Sequence, residues 1–89
     1  MKNQSTVKPG CYLPSITVNE KDIYELLSKT HWTLIVCGKE KIKMNQPQLK
    51  ILHLPEGAYS LRYILIKPDW HIVLSDNLLN ESEIMKLII

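Results

Sequence analysis

The sequence predicts a mixed α/β fold, with a central mixed sheet that ends in an antiparallel C-terminal hairpin and is flanked by helices. Three observations support this class. Trp32–Cys37 is a short apolar run rich in β-branched residues, which suits a strand buried on both faces. Two further apolar runs lie on either side of residues 67–70, where Pro68 and Asp69 favour a tight turn. Segments near residues 21–29 and 81–89 each carry one apolar stripe and are the predicted helices.

The amino-terminal half begins with a polar segment, residues 1–8, that we expect to be a flexible tail. Pro9-Gly10 and Pro14 then frame a loop, because proline removes backbone donors and disfavours helix in the preceding residue. A short edge strand is predicted at residues 15–18. Asn19 is the predicted cap of the first helix, with Asp22 three residues later as its capping-box partner.

The rest of the chain alternates apolar runs with breaks. Residues 39–48 form either a short helix that ends before Pro47 or a crossover loop, and the pattern leaves both open. The remaining elements are predicted, in order, as a strand at Leu49–Leu54, a hairpin that joins Tyr63–Ile66 to His71–Leu74, and a helix at Glu81–Ile89 capped by Asn80.

Composition limits the classes of function. A chain of 89 residues has room for a single domain, which we place at residues 9–89. The net charge of +2 is too small to attract nucleic acid strongly. A local excess of lysine at 39–50 is interpreted as a solvated face, with a nucleic-acid site as the less favoured alternative, because no aromatic residues interleave. The polar first residues and the short apolar runs predict a cytoplasmic protein without a membrane segment.

The residues that could carry chemistry are scattered. Thiol–disulfide exchange needs paired cysteines, whereas Cys37 ends an apolar strand and Cys11 lies in the proline-framed loop. We therefore interpret Cys37 as a core residue and Cys11 as an exposed thiol, and a disulfide between them depends on whether the fold brings them together. The histidines and cysteines lack zinc-site spacing. We predict no catalytic, cofactor-binding or metal-binding residues.

Two aromatic residues are candidate interaction residues. Trp70 follows Pro68-Asp69 at the predicted turn, where a residue often adopts a positive φ that favours glycine. An exposed aromatic side chain there could anchor a contact between chains. Tyr59 is the second candidate. For both residues the alternative is partial burial against the chain's own sheet.

The chain resembles the C-terminal thioredoxin-like domain of flavin-dependent aromatic hydroxylases, the phenol hydroxylase and p-hydroxybenzoate hydroxylase relatives. That domain begins with Pro-Gly-x-x-x-Pro, matched here by Pro9–Pro14. It continues with a Leu-rich helix and a strand ending in glycine, similar to Ile23–Leu27 and Thr33–Gly38. It closes with a strand, Arg-Pro-Asp-Gly, a second strand and a helix. In the matching stretch, Ile64–Ser75, this sequence has lysine for the arginine and Trp70 for the glycine.

The resemblance implies a thioredoxin-like fold and kinship with FAD-dependent monooxygenases. These 89 residues contain no Gly-x-Gly-x-x-Gly fingerprint, so we expect this chain to bind no FAD itself. Our leading hypothesis is a redox-inert structural or interaction domain that forms a homodimer or packs against a larger flavoprotein. The alternatives are a split or accessory component of a flavin monooxygenase, with FAD on another chain, and a small apolar-ligand carrier.

Overall fold

A computed structural model describes residues 7–42, 44 and 46–88. The described residues form six strands and two helices: β1 (Thr17–Val18), β2 (Lys21–Asp22), α1 (Ile23–Leu26), β3 (Trp32–Cys37), β4 (Leu49–Leu54), β5 (Tyr63–Ile66), β6 (Ile72–Asp76) and α2 (Glu81–Ile88). The chain therefore has a mixed α/β fold, as the sequence predicts.

The main sheet has the strand order β4-β3-β5-β6. β3 pairs in parallel with β4 and antiparallel with β5, and β5 pairs antiparallel with β6. Ile35, in the middle of β3, is thereby opposite Leu52 on one side and Ile64 on the other. The two inner strands are buried along nearly their whole length because both faces of the sheet are covered, and Thr33 is their one polar residue.

Alternate residues of the inner strands point to opposite faces of the main sheet. Ile35 and Ile64 pack on the first face, which we call the α1 face, together with Leu13 and Ile23. The opposite face, the α2 face, holds a second core cluster: Leu34, Val36, Tyr63, Leu65, Ile84 and Ile88. The sheet thus lies between the amino-terminal segment and α2, with a core on each side.

The hairpin between β5 and β6 forms at the predicted turn. The Trp70 amide donates to the Lys67 carbonyl at 2.8 Å, and the Lys67 amide donates to the His71 carbonyl at 3.0 Å. β6 begins at Ile72, one residue later than predicted, and its pairing with β5 has a register shift between Leu65 and Ile66. The prediction of the hairpin is confirmed.

The first helix is shorter than the sequence predicts, and its cap lies elsewhere. α1 covers only Ile23–Leu26, and Asp22 is its cap: the Asp22 carboxylate accepts the Tyr24 amide at 3.0 Å. The Asp22 amide in turn donates to the Glu25 carboxylate at 3.0 Å, which completes a capping box. The Ser15 hydroxyl also donates to the Asp22 carboxylate, at 2.8 Å. The hydrogen bond from the Tyr24 amide, and next that from the Ser15 hydroxyl, lower the pKa of the Asp22 carboxyl.

Asn19, the predicted cap, lies instead in a tight turn. Asn19 and Glu20 have φ values of 50° and 70°, which suit the two central residues of a short hairpin. That hairpin pairs β1 with β2, so the edge strand predicted at residues 15–18 forms a separate two-stranded unit rather than joining the main sheet.

Residues 10–13 run along the β6 edge of the main sheet. The Gly10 amide donates to the Ile72 carbonyl at 2.8 Å, and the Ile72 amide donates to the Cys11 carbonyl at 2.7 Å. Val7, which we expected in a flexible tail, is buried, and its carbonyl accepts the Ser75 hydroxyl at 2.9 Å. The rest of that predicted tail, residues 1–6, lies outside the described residues.

The last helix begins as predicted. The Asn80 side-chain oxygen accepts the Glu83 amide at 3.1 Å, so Asn80 caps α2. Of the two structures left open for residues 39–48, no helix occurs among those that are described, 39–42, 44 and 46–48. Ile42 and Met44 of this crossover pack against the α2 face.

Candidate interaction site at the hairpin turn

Trp70 has the positive φ that its position in the turn suggests, 72°. Its side chain is half-buried and packs against the core of the α1 face. The indole ring stacks on the Tyr24 ring, with centroids 4.8 Å apart and planes inclined by 21°. The indole nitrogen is buried, and among the described residues it has no hydrogen-bond partner. Trp70 is thus partly buried against its own chain, which is one of the two placements that the sequence left open.

Trp70 and Tyr24 also hold the amino-terminal segment at Leu13. The Leu13 amide donates to the Trp70 carbonyl at 3.2 Å, and the Tyr24 hydroxyl donates to the Leu13 carbonyl. Burial, and then the negative charge of Asp22, raise the pKa of the Tyr24 hydroxyl. Leu13 itself is buried, so the segment is fixed by both its backbone and its side chain.

Tyr59, the other candidate interaction residue, lies in the core. Its side chain is 7% exposed, and its hydroxyl donates to the Pro14 carbonyl at 2.6 Å. Burial raises the pKa of Tyr59 far above its usual range. Of the two placements that the sequence left open for Tyr59, the structure has burial within its own chain.

An exposed aromatic pair lies beside the turn. Tyr12 is 61% exposed, and its ring stacks on the His71 ring with centroids 4.1 Å apart. The His71 ring nitrogen Nδ1 lies 3.1 Å from Asp69 Oδ1, which also accepts the His71 amide at 3.1 Å. The hydrogen bond from the His71 amide, and next the hydrogen bond with the His71 ring, lower the pKa of the Asp69 carboxyl. We call Tyr12, His71, Asp69 and Lys67 the Tyr12 patch.

Sequence reasoning missed Tyr12. The signal that could have found it is its neighbour Leu13, because a buried Leu13 in an extended segment places Tyr12 on the opposite side of the backbone. That signal depends on knowing that residues 10–13 lie against β6, and the residue that pairs with Tyr12 is His71, 59 positions away in the chain.

The thiols lie in contrasting surroundings. Cys37 is 3% exposed at the end of β3, and burial raises the pKa of its thiol. Cys11 is exposed on the segment beside β6, and both cysteines are free thiols. Within the described ranges there is no group of three or more His, Cys, Asp or Glu that could hold a metal ion. Neither of the helices in those ranges has the length and apolar character needed to cross a bilayer.

An apolar cavity lies on the α2 face beneath Leu78 and Leu79, against Leu34, Leu65 and Ile84. Its volume is about 10 Å³, roughly enough for one water molecule. Pockets that bind small molecules usually have volumes of about 300–1,000 Å³. This cavity therefore cannot serve an apolar-ligand carrier without rearrangement of the core.

We expect a thiol reagent such as DTNB to modify Cys11 rapidly in the native protein. Cys37 should react at least about 100-fold more slowly, because it becomes a reactive thiolate only when β3 opens. Counting modified thiols over time, in the wild type and in Cys11→Ser, measures both rates. Denaturant should expose Cys37 and serves as the control. Rapid modification of Cys37 in the native Cys11→Ser variant would contradict its placement in the core.

Comparisons with known proteins bear on the fold. No family model and no curated protein matches this chain. The chain is similar to the solved structure of Diels-Alderase PyrE3 in the biosynthetic pathway of pyrroindomycins, with a TM-score of 0.57 and 21% sequence identity. The likeness covers 74% of this chain and 15% of the PyrE3 chain. The arrangement of strands and helices described above therefore also occurs as a small part of a much larger protein.

Proposed function

We propose that this chain is a redox-inert, thioredoxin-like module that acts by binding another protein surface. The order of the main sheet supports the fold assignment. One parallel pair, β3 with β4, continues into an antiparallel hairpin, β5 with β6, and α2 follows on one face. This agrees with the arrangement that the resemblance to the thioredoxin-like domain of aromatic hydroxylases implies.

The placement of the thiols carries the proposal that the module is redox-inert. A thiol that performs disulfide exchange needs a lowered pKa and access to its substrate. Cys37 has the opposite properties, since it is buried and its pKa is raised. Cys11 lies on a segment whose backbone is hydrogen-bonded to β6, and it belongs to neither described helix.

The experiment is an insulin-reduction assay with a dithiol donor, together with gel filtration after incubation with FAD. We expect no reduction above that of the Cys11→Ser, Cys37→Ser double variant, and no flavin absorbance in the protein peak. Activity that is lost in the double variant would overturn the redox-inert assignment. Retained flavin would overturn the assignment of a module without its own cofactor.

A second candidate is an accessory component of a flavin monooxygenase whose FAD lies on another chain. The likeness to 15% of a larger enzyme chain favours a part that works within a larger assembly. The Tyr12 patch offers such a partner an exposed aromatic ring with charged groups around it, a composition common in protein interfaces. A neighbouring reading frame that encodes a flavin-binding protein would distinguish this candidate, and Tyr12→Ala should then weaken binding between the two purified chains.

A further inference from the structure

Leu78 is the most exposed of the large apolar side chains in the described part of the chain, at 78%. It lies in the loop between β6 and α2 and borders a groove of about 520 Å³. Leu74 and Leu79 also line the groove, and both pack against the core of the α2 face. Burial of an exposed leucine stabilises an association, so such a side chain beside an apolar floor suits a contact surface.

Opposite charges flank this end of the sheet. Asp76, Glu81 and Glu83 line the groove and form an acidic rim. Lys39 and Lys41, both exposed, follow the carboxyl end of β3. The antiparallel pairings of β3 with β5 and of β5 with β6 bring the end of β3 and the end of β6 to the same end of the main sheet.

Arg62 connects these two segments. Its guanidinium Nη1 lies 3.4 Å from Glu40 Oε1, between the two lysines in sequence. Its amide donates to the Asn77 side-chain oxygen at 3.2 Å, directly before Leu78. Arg62 thus contacts both the segment that holds the lysines and the loop that holds Leu78, and we call the acidic rim, Leu78, Lys39 and Lys41 the Leu78 surface.

A surface that carries both signs of charge beside an apolar centre can be complementary to itself. A twofold axis through such a surface brings the acidic rim of one copy against the lysines of the other, and does so twice. Each Leu78 then faces the groove of the other copy. The net charge of +2 adds little general repulsion between copies.

We propose that the Leu78 surface binds a second copy of this chain in a twofold dimer. This inference deepens the proposed function, because it names a partner of the module and the surface that binds it. The acidic rim pairs with Lys39 and Lys41 of the other copy, and the two Leu78 side chains are buried in the opposing grooves.

The test is a charge swap measured by sedimentation equilibrium. We expect the wild type to form a dimer, and Leu78→Asp to raise the dimer dissociation constant at least about tenfold, with an unchanged circular dichroism spectrum. Glu81→Lys with Glu83→Lys, and separately Lys39→Glu with Lys41→Glu, should each weaken self-association, because like charges then meet. An equimolar mixture of these two double variants should restore a dimer that contains one copy of each.

The matched control is Lys21→Glu with Lys29→Glu, which has the same net charge as the lysine variant but changes the α1 side of the chain. Mixed with the Glu81→Lys, Glu83→Lys variant, it should not restore a dimer. A monomeric wild type, a dimer that tolerates Leu78→Asp, or oligomers that grow beyond two copies would each overturn the twofold dimer. None of these outcomes alters the insulin or flavin result, so the dimer and the proposed function can fail separately.

Discussion

Replacing Trp70 with alanine is expected to lower the free energy of unfolding by about 2–3 kcal/mol. Truncation of a fully buried tryptophan to alanine lowers the free energy of unfolding by about 3–5 kcal/mol. Trp70 is half-buried, so we expect a smaller loss. Part of this loss comes from the stacking on Tyr24, which contributes on the order of 1 kcal/mol in addition to the burial of apolar surface. Trp70→Gly removes the same ring but is expected to cost about 1 kcal/mol less, since glycine accepts a φ of 72° without strain.

Urea unfolding of the wild type and both variants measures these differences. Lys67→Ala, in the same turn but with a solvent-exposed side chain, is the control and should shift stability by no more than about 0.5 kcal/mol. Equal stability of the alanine and glycine variants would show that the positive φ carries no strain. A glycine variant more stable than the wild type would show that the strain exceeds the packing of the ring.

The second large effect is expected at Leu13. Leu13→Ala should lower the free energy of unfolding by about 3 kcal/mol, because Leu13 is 1% exposed and its removal leaves a cavity on the α1 face. The substitution should also loosen residues 10–13 from β6. Hydrogen exchange of the Gly10 and Ile72 amides, both of which bond across this edge, should therefore accelerate more than exchange within β3.

The control is Leu87→Ala, the same deletion at a side chain that is 40% exposed on α2. It should leave the exchange of the Gly10 and Ile72 amides unchanged. If Leu13→Ala accelerated exchange equally at the Gly10 and Ile72 amides and within β3, the variant would only have lowered global stability. That result would contradict the role of Leu13 as the anchor of the segment.

Local patterns in the sequence predict the parts of the fold that local physics decides. The apolar run at Trp32–Cys37, the turn at Pro68-Asp69 and the cap at Asn80 each depend on a few neighbouring residues, and each forms where it is predicted. The first helix differs because two polar residues could cap it. Asn19 is drawn into the turn between β1 and β2, and Asp22 then has both hydrogen bonds of the capping box.

Residues whose roles depend on distant segments could not be placed from the sequence. Tyrosine is a residue type common in interfaces, yet the Tyr59 hydroxyl donates to the carbonyl of Pro14, which is 45 positions away in the chain. Tyr12 is exposed because residues 10–13 extend along β6. The segments that hold Leu78 and Glu40 lie at one end of the sheet through strand pairing, and Arg62 contacts both Glu40 and Asn77 there. Periodicity carries no information about contacts of this kind.

The segment beside β6 has a consequence for the order in which the molecule is built. Val7 and Ser75 are 68 positions apart, so their contact closes a loop that includes nearly the whole domain. During synthesis, residues 7–13 emerge well before β6, to which their backbone groups are hydrogen-bonded. Contacts between such distant residues form slowly because the chain loses much entropy before they stabilise it. The edge of the sheet is therefore completed last, and until then β6 exposes a free strand edge to neighbouring chains.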